Sequence, residues 1–498
     1  MKTSTQKVTP SPTTQLRKAF FGLLLLFTFL SIFALTSLVS AKPKPAPLKQ
    51  HARNWRYFDD GTGKPVYLVS SHTWMADLSS PGWPQADWDA NKLNKYLDFT
   101  QYWNLNFIRT WMWEHDAGAE GIWVKNAHGK FDLNKMNQAY FDRLHSFVRE
   151  AEKRHIYVGV MLFQGFSGAI SLKTLNTTTW KNWELHPMNA TNNVNGINGD
   201  PTGKGYGIEI HNVENTAILP YWEAYVKKMV DTFNDCNNVI WEMGNEDPYP
   251  PFSKHFIDVI HTYEKTKLKQ HLVWYSGGAW TGNANIYSSN ADVYGPEDSD
   301  DWGKKNAVYF RNPPVVSHQK PEILDSDHLG NHTTPVTFTA LDQRNWTWKS
   351  FLRGYHPLFM DSYDHPNWNS ISPTANHPIP GVSTNPLWDP QRKSLGNTLQ
   401  FANKMKDLAS TQPTADTNLC STGYCLYSSG SEYVAYQPDV SGSITLDLAA
   451  GSYNVETLDT DDSSSETTKI SGWAGGKRTF AKPAHVNQDW VLYLVHKQ

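Results

Sequence analysis

The sequence predicts a (β/α)8 TIM barrel followed by a small C-terminal β-sandwich, and three observations carry that prediction. From Asn54 to about Lys406, short apolar runs alternate with stretches of helical periodicity, the pattern of a parallel α/β fold. Eight such runs can be counted, each ending in polar or aromatic residues, which favours closure into a barrel over an open sheet. After Lys406 the helical periodicity stops, and short alternating strands separated by Gly, Ser and Asp follow, as in a sandwich. At 498 residues the chain has room for both.

In chain order, residues 1–41 read as a signal peptide or N-terminal anchor. Arg17 and Lys18 precede the uncharged run Ala19–Val39, and Val39–Ser40–Ala41 offers a small-residue cleavage site. The rest is then expected to be secreted, or held at a membrane facing outward if residues 19–39 remain as an anchor. Residues 42–50 are a Pro-rich linker. The barrel is expected over 51–408, with strand one at Val66–Ser70, strand two at Phe107–Trp111, strand three at Ile156–Phe163 and strand four at Val239–Trp241. Strands five to eight follow at His271–Tyr275, Asp292–Tyr294, Ile323–Asp327 and Pro357–Met360. Helices are expected at about Asp87–Tyr102, Gln138–Arg154 and Thr216–Phe233, the second with Phe141, Leu144, Phe147 and Val148 on one face. Residues 409–419 read as a linker and 420–498 as the β-sandwich, so a chain cut after Thr411 is expected to retain a folded barrel.

The formal charge of −3 gives no footprint for nucleic acid. The 21 Trp, 23 Tyr and 22 Phe are the unusual part of the composition. Several tryptophans (Trp74, Trp83, Trp111, Trp113, Trp280, Trp302) fall near strand ends or in loops, where exposed rings can stack on sugar C–H faces; core filling accounts for others. Of the three cysteines, Cys420 and Cys425 are spaced for a disulfide across a small loop, while Cys236 is expected to be buried and inert. Asn176, Asn189, Asn331 and Asn345 open N-x-Thr triplets.

Two stretches carry chemistry. In NNVIWEMGNEDPYP, a buried strand delivers Asn245, Glu246 and Asp247 into a Pro-rich loop, and the C-terminal end of a strand is where a barrel places its reactive groups. In KPEILDSDHLGNH, alternation puts Ile323, Asp325 and Asp327 on one face of strand seven and Glu322, Leu324 and Ser326 on the other. Asp-x-Asp-His also admits a metal site at Asp325, Asp327 and His328, although no further ligands at suitable spacing accompany it.

Together these stretches resemble clan A of the glycoside hydrolases, from roughly Asn54 to Lys406. The similarity is strongest at NFIRTW, VIWEMGNE and the acid-bearing strand seven. NWRYFDDGTGKPVYLVSSHTW and WKSFLRGYHPLFMDSYD are similar to apiosidase-like, cellulase-related enzymes, whose C-terminal module carries a collagen-binding label. The resemblance implies a retaining hydrolase of O-glycosidic bonds acting on an oligo- or polysaccharide of plant or microbial origin, without a cofactor. Glu246 would be the acid/base. The family nucleophile is a Glu after strand seven, and counting from Lys320 that position falls on Ser326, between Asp325 and Asp327. Asp327, nearer the strand's C-terminal end, is the expected nucleophile, and Asp325, one pleat deeper, is expected to pair with Arg109. Asn245 would bind the sugar 2-hydroxyl, with His72, Trp74, Trp111, Gln164, Tyr275 and Asp361 as pocket walls; Glu297 or Asp361 would be the next acids to consider as nucleophile. Loss of the usual Glu leaves a catalytically inactive carbohydrate-binding barrel as one alternative, and a metal-dependent hydrolase as another.

Overall fold

The structure, a computed structural model, describes Met1 and residues 45–77, 90–112, 114, 121–165, 182–205, 207–245, 249–276, 282–296, 308–326, 338–361, 363, 375–376, 378–379, 382–384 and 386–497. Apart from Met1, the segment 1–41 expected to be a signal peptide or anchor therefore lies outside the described residues.

The described chain begins with β1 (Lys49–Gln50) paired antiparallel to β2 (Phe58–Asp59). It enters the barrel at β3 (Ser70–Asp77), then passes through α1 (Ala90–Tyr102) and β4 (Phe107–Trp111). A side hairpin, β5 (Trp123–Lys125) and β6 (Phe131–Met136), precedes α2 (Gln138–Lys153) and β7 (Tyr157–Gln164). There follow α3 (Leu219–Phe233), β8 (Val239–Asn245), α4 (Pro250–Glu264), β9 (Leu272–Ser276), β10 (Val293–Gly295) and β11 (Glu322–Ser326). The circuit ends with α5 (Ala340–Arg353) and β12 (Tyr355–Met360). The parallel strands β3, β4, β7, β8, β9, β10, β11 and β12 close on themselves, with Met360 beside His72 at the seam. These are strands one to eight of the predicted barrel.

Alternation sets what fills it. Phe107, Ile240, Trp274, Val293, Ile323 and Leu358 form one apolar layer with Leu68. Leu48 and Phe58, carried by the β1–β2 hairpin, join the same cluster. Residues 45–50 are thus not a free spacer: Pro47 and Leu48 are buried, and the backbone pairs with β2. Outside the strands, helices present a single apolar stripe; α2 buries Tyr140, Phe141, Leu144, Phe147, Val148 and Ala151. Helix α5 starts at a Thr339–Asp342 capping box and stops at Gly354, whose φ of 90° only glycine adopts without strain.

Strand one is displaced from its expected span. Val66 makes only an isolated bridge to Phe58, while the amides of Leu68 and Val69 donate to His356 Nδ1 and Asn106 Oδ1, both at 2.9 Å. Side-chain acceptors thus serve these two amides, while the Val69 carbonyl already accepts from the Phe107 amide of the next strand.

A small hairpin, β13 (Ala375–Asn376) with β14 (Ser383–Thr384), precedes α6 (Asp389–Lys404). The C-terminal sheets use β15 (Gln412–Thr414), β16 (Cys425–Ser428), β17 (Glu432–Gln437), β18 (Ile444–Leu448), β19 (Gly451–Asp459), β20 (Ser465–Trp473), β21 (Gly476–Phe480) and β22 (Trp490–His496). Six lie in the order β15-β16-β17-β22-β19-β20, and β18 pairs with β21. Leu446, Leu448, Tyr453, Trp490 and Leu492 belong to the core between them.

The expected linker at 409–419 is corrected: Gln412–Thr414 is an edge strand of the six-stranded sheet, paired with Cys425–Tyr427. Barrel and sandwich also share a hydrophobic cluster that joins Trp348, Phe351, Phe401 and Leu408 to Leu426, Val434, Tyr436 and Val491. Arg344 crosses the junction to Asp489, Asp461 and Gln488. The expected disulfide is absent too. Cys420 and Cys425 are free and buried; the Cys420 sulfur lies 3.3 Å from Thr422 Oγ1, and hydrogen bonding with Cys425 lowers its pKa to about 7. Cys236 is buried, and burial raises its pKa to about 12, consistent with an inert thiol.

Glu322, at the start of β11, is fully buried and faces away from the barrel interior. One oxygen accepts from His318 Nδ1 at 2.8 Å, and the other has no partner among the described residues. Burial raises its pKa to about 7, against the opposing pull of His318. A raised carboxyl contributes stability below its unfolded value and loses that contribution as pH rises through about 7. Wild-type protein should therefore lose up to about 3 kcal/mol between pH 4.5 and 7.5 from this group. Glu322→Gln should flatten that slope in chemical denaturation run across the range.

Candidate active site

Two residues along each strand from the apolar layer, the barrel interior turns polar: Arg109 follows Phe107, Glu242 follows Ile240, Ser276 follows Trp274 and Asp325 follows Ile323. His72 enters from β3. Arg109, 1 % exposed, is the centre of this layer. Its Nε donates to Glu242 Oε2 at 2.8 Å and its Nη1 to Asp325 Oδ2 at 2.9 Å. Its Nη2 reaches Glu242 Oε1 at 2.5 Å and Asn245 Oδ1 at 3.2 Å. One guanidinium is thus shared by two carboxylates and an amide, a geometry only arginine supplies.

The second oxygen of Asp325 lies 3.1 Å from His72 Nε2. The His72 ring stacks on Trp111, 3° from parallel with centroids 5.8 Å apart, and Arg109 lies 5.0 Å over the same indole. Asp325 keeps 16 % of its side chain exposed, whereas Glu242 has none exposed. Of the two acids, Asp325 is the one a ligand can reach. Burial raises the pKa of Glu242, with Arg109 and Ser276 working against the rise. Ser276 Oγ lies 2.6 Å from Glu242 Oε1 and 2.8 Å from the Gly244 carbonyl oxygen.

Asn245 is three residues beyond Glu242, yet both meet Arg109, so the two-residue alternation of β8 breaks between them. Gly244 sits at that break: a Cβ there would fall 2.8 Å from the Phe163 carbonyl oxygen. Asn245 Nδ2 donates to Gln164 Oε1 at 3.1 Å, which ties the end of β8 to the end of β7.

Glu114, just past β4, buttresses this edge. It accepts from the Gln164 amide at 2.8 Å and lies 3.0 Å from His211 Nε2 and 3.5 Å from His186 Nε2. His186 Nδ1 accepts from the Met188 amide, so the proton facing Glu114 is on Nε2. Burial opposes charge on Glu114, but His211 and His186 outweigh it and hold the pKa at about 2.

The structure therefore brings Arg109, Asp325, His72, Trp111, Asn245 and Gln164 together. Glu246, Asp327 and Glu297 lie outside the described residues, as does the side chain of Trp74. Two expected wall residues are corrected. Tyr275 packs in the cluster between strands and helices, because its neighbours Trp274 and Ser276 take the interior. Asp361 is fully buried, with both oxygens held by Arg392 and one of them also accepting from the Tyr363 amide, so it is a structural anchor and lines no open wall. Glu242 and Ser276 are site residues that motif reading missed, although counting by two from the apolar layer reaches both. Among the described residues, one group could hold a metal ion: His145, Asp235 and Cys236. It lies before β8, at the opposite end of the barrel, and its 2.8 Å His145–Asp235 ion pair explains the clustering.

No family model matches the chain, and no curated protein matches its sequence. Solved structures do match the fold. One described as a glycoside hydrolase superposes with a TM-score of 0.55 at 13% identity, over 91% of this chain and 97% of its own. A glycoside hydrolase family 5 structure from Bacteroides vulgatus ATCC 8482 gives 0.56 at 15% identity, over 90% and 93%. The chain thus shares its fold with glycoside hydrolases of family 5, at low sequence identity.

Proposed function

We propose that the protein is a retaining glycoside hydrolase of the apiosidase-like, clan A type, with Asp325 as nucleophile and Glu246 as acid/base. The observation that carries this is the grip on Asp325: Arg109 Nη1 on one oxygen and His72 Nε2 on the other, with the side chain still partly open. A guanidinium at 2.9 Å favours the ionised carboxylate and fixes its direction. On this reading the nucleophile is Asp325, one pleat deeper than the Asp327 expected from the sequence.

In the first step an Asp325 oxygen attacks the anomeric carbon while Glu246, protonated, donates to the departing oxygen. In the second, Glu246 takes a proton from water as the water displaces Asp325 from the sugar. Asp is one methylene shorter than the family's Glu, so the sugar must approach closer to β11. Asn245 would present its amide toward the 2-hydroxyl, and Trp111 an aromatic wall. Glu242 acts through Arg109 and is a positioning residue. The Arg17–Ala41 pattern supports action outside the cytoplasm, on an oligo- or polysaccharide.

The test is a panel of 2-deoxy-2-fluoro glycosides with activated leaving groups, followed by peptide mass spectrometry. One member is expected to add a single sugar to the peptide containing Asp325, at that residue. A label on Asp327 would return the nucleophile there. Saturable sugar binding without label or turnover on any member would return the barrel to a binding role.

A further inference from the structure

We propose that a cleft between the C-terminal end of α6 and strands β19 and β20 binds an anionic saccharide chain. The cleft has a volume of about 500 Å³, within the usual range for ligand sites. It lies where α6 meets the sandwich and shares no lining residue with the polar layer of the barrel interior, so its occupancy does not depend on the chemistry there.

Its origin is a mismatch in width. One face of the six-stranded sheet packs on the barrel helices: Tyr436 stacks on Trp348, and Tyr493 meets Phe401 edge-on. On the outer strands this cover stops. Register places Val495, Asn454 and Lys469 in one row across β22, β19 and β20, and Tyr493, Glu456 and Thr467 in the next. The end of α6 forms the opposite wall. There Lys404 Nζ bonds Glu456 Oε1 at 2.6 Å and lies over the Phe401 and Tyr493 rings, 4.3 and 5.7 Å from their centroids.

Charge and satisfaction then select the ligand. Lys404, Lys406 and Lys469 face a single carboxylate, Glu456, and Lys404 already neutralises it. Two ammonium groups remain in excess on a chain whose formal charge is −3. The side chains of Lys406, Lys469, Asn454 and Thr467 are exposed and have no hydrogen-bond or ion-pair partner among the described residues. Neutral sugars are held chiefly by open aromatic faces. Here the one ring, Tyr493, is only 7% exposed and lies beneath Lys404. Two free cations that share the cleft with amide and hydroxyl groups instead match acidic groups spaced along a sugar chain. Such contacts are screened beyond about 8 Å at 0.15 M salt, so binding should be weak and salt-sensitive.

The experiment is affinity electrophoresis of the full chain in gels containing polygalacturonate, a sulfated galactan or a neutral glucan, at low and high salt. Wild-type protein should be retarded by an acidic polymer, and high salt should remove the retardation. Retardation by polygalacturonate alone assigns carboxylates and by the sulfated polymer alone sulfate esters; either supports the site. Lys406→Glu with Lys469→Glu should weaken binding at least tenfold, while Lys406→Arg with Lys469→Arg should retain it. Near-UV circular dichroism checks that both variants fold. Retardation by the neutral glucan alone, no retardation by any polymer, or unchanged binding in the Glu variant would overturn the proposal.

Discussion

A chain truncated after Thr411 is expected to give no soluble, folded barrel. Removing residues 412–498 uncovers Trp348, Phe351, Phe401 and Leu408, all at 3% exposure or less and packed against the sandwich within one cluster. Uncovering each such side chain costs about 2 kcal/mol, so four approach the whole stability of an ordinary domain, about 5–15 kcal/mol. The cut also strands Arg344, 2% exposed, without Asp489, Asp461 and Gln488. With the sandwich gone Arg344 turns to water, so the loss of its partners removes the pairing across the junction and leaves the uncovered apolar face as the main cost. The β3-to-β12 circuit could still form locally, but with an apolar face turned to water. Expression and size-exclusion chromatography should show aggregate; a monodisperse truncated chain with a cooperative melt would mean that the shared cluster contributes little. Arg344→Met in the full chain is a milder probe, expected to lower stability by several kcal/mol in denaturant titration and to leave the protein folded.

That junction was not legible in the sequence because ASTQPTADTNL has a linker's composition. Gln412–Thr414 is held by backbone pairing with β16, which leaves little side-chain signature. Strands two, three and four were legible because burial on both faces produces continuous apolar runs; β8 is buried from Val239 to Asn245. Strand one slipped because Asn106 and His356 supply its first acceptors from distant positions. In the site, alternation was the decisive signal. It separates interior Trp274 and Ser276 from outward Tyr275, and it reaches Glu242 two residues beyond Ile240. Glu114, His186 and His211 had no local signal at all, since the imidazoles come from 72 and 97 residues downstream.

The largest effect expected in the site is the loss of activity in Asp325→Asn. The substitution keeps the size of the side chain and a hydrogen bond from His72 or Arg109, but an amide cannot form the glycosyl ester. Activity on both activated aryl glycosides and unactivated substrates should fall on the order of 10⁴-fold, about 5 kcal/mol of transition-state stabilisation. Glu246→Ala should divide the same substrates. Poor leaving groups need its proton and should react slowly, whereas activated aryl glycosides should still load the enzyme and then stall at hydrolysis. Added azide, a small anion that can replace the base-activated water, should restore turnover in Glu246→Ala and do nothing for Asp325→Asn. Asp327→Ala decides between the two aspartates. With Asp325 as nucleophile it should be impaired through positioning and retain measurable rates on activated substrates. The reverse result, a dead Asp327→Ala beside a merely slowed Asp325→Asn, would place the nucleophile one pleat higher and reduce the Arg109–Asp325 pair to a support for it.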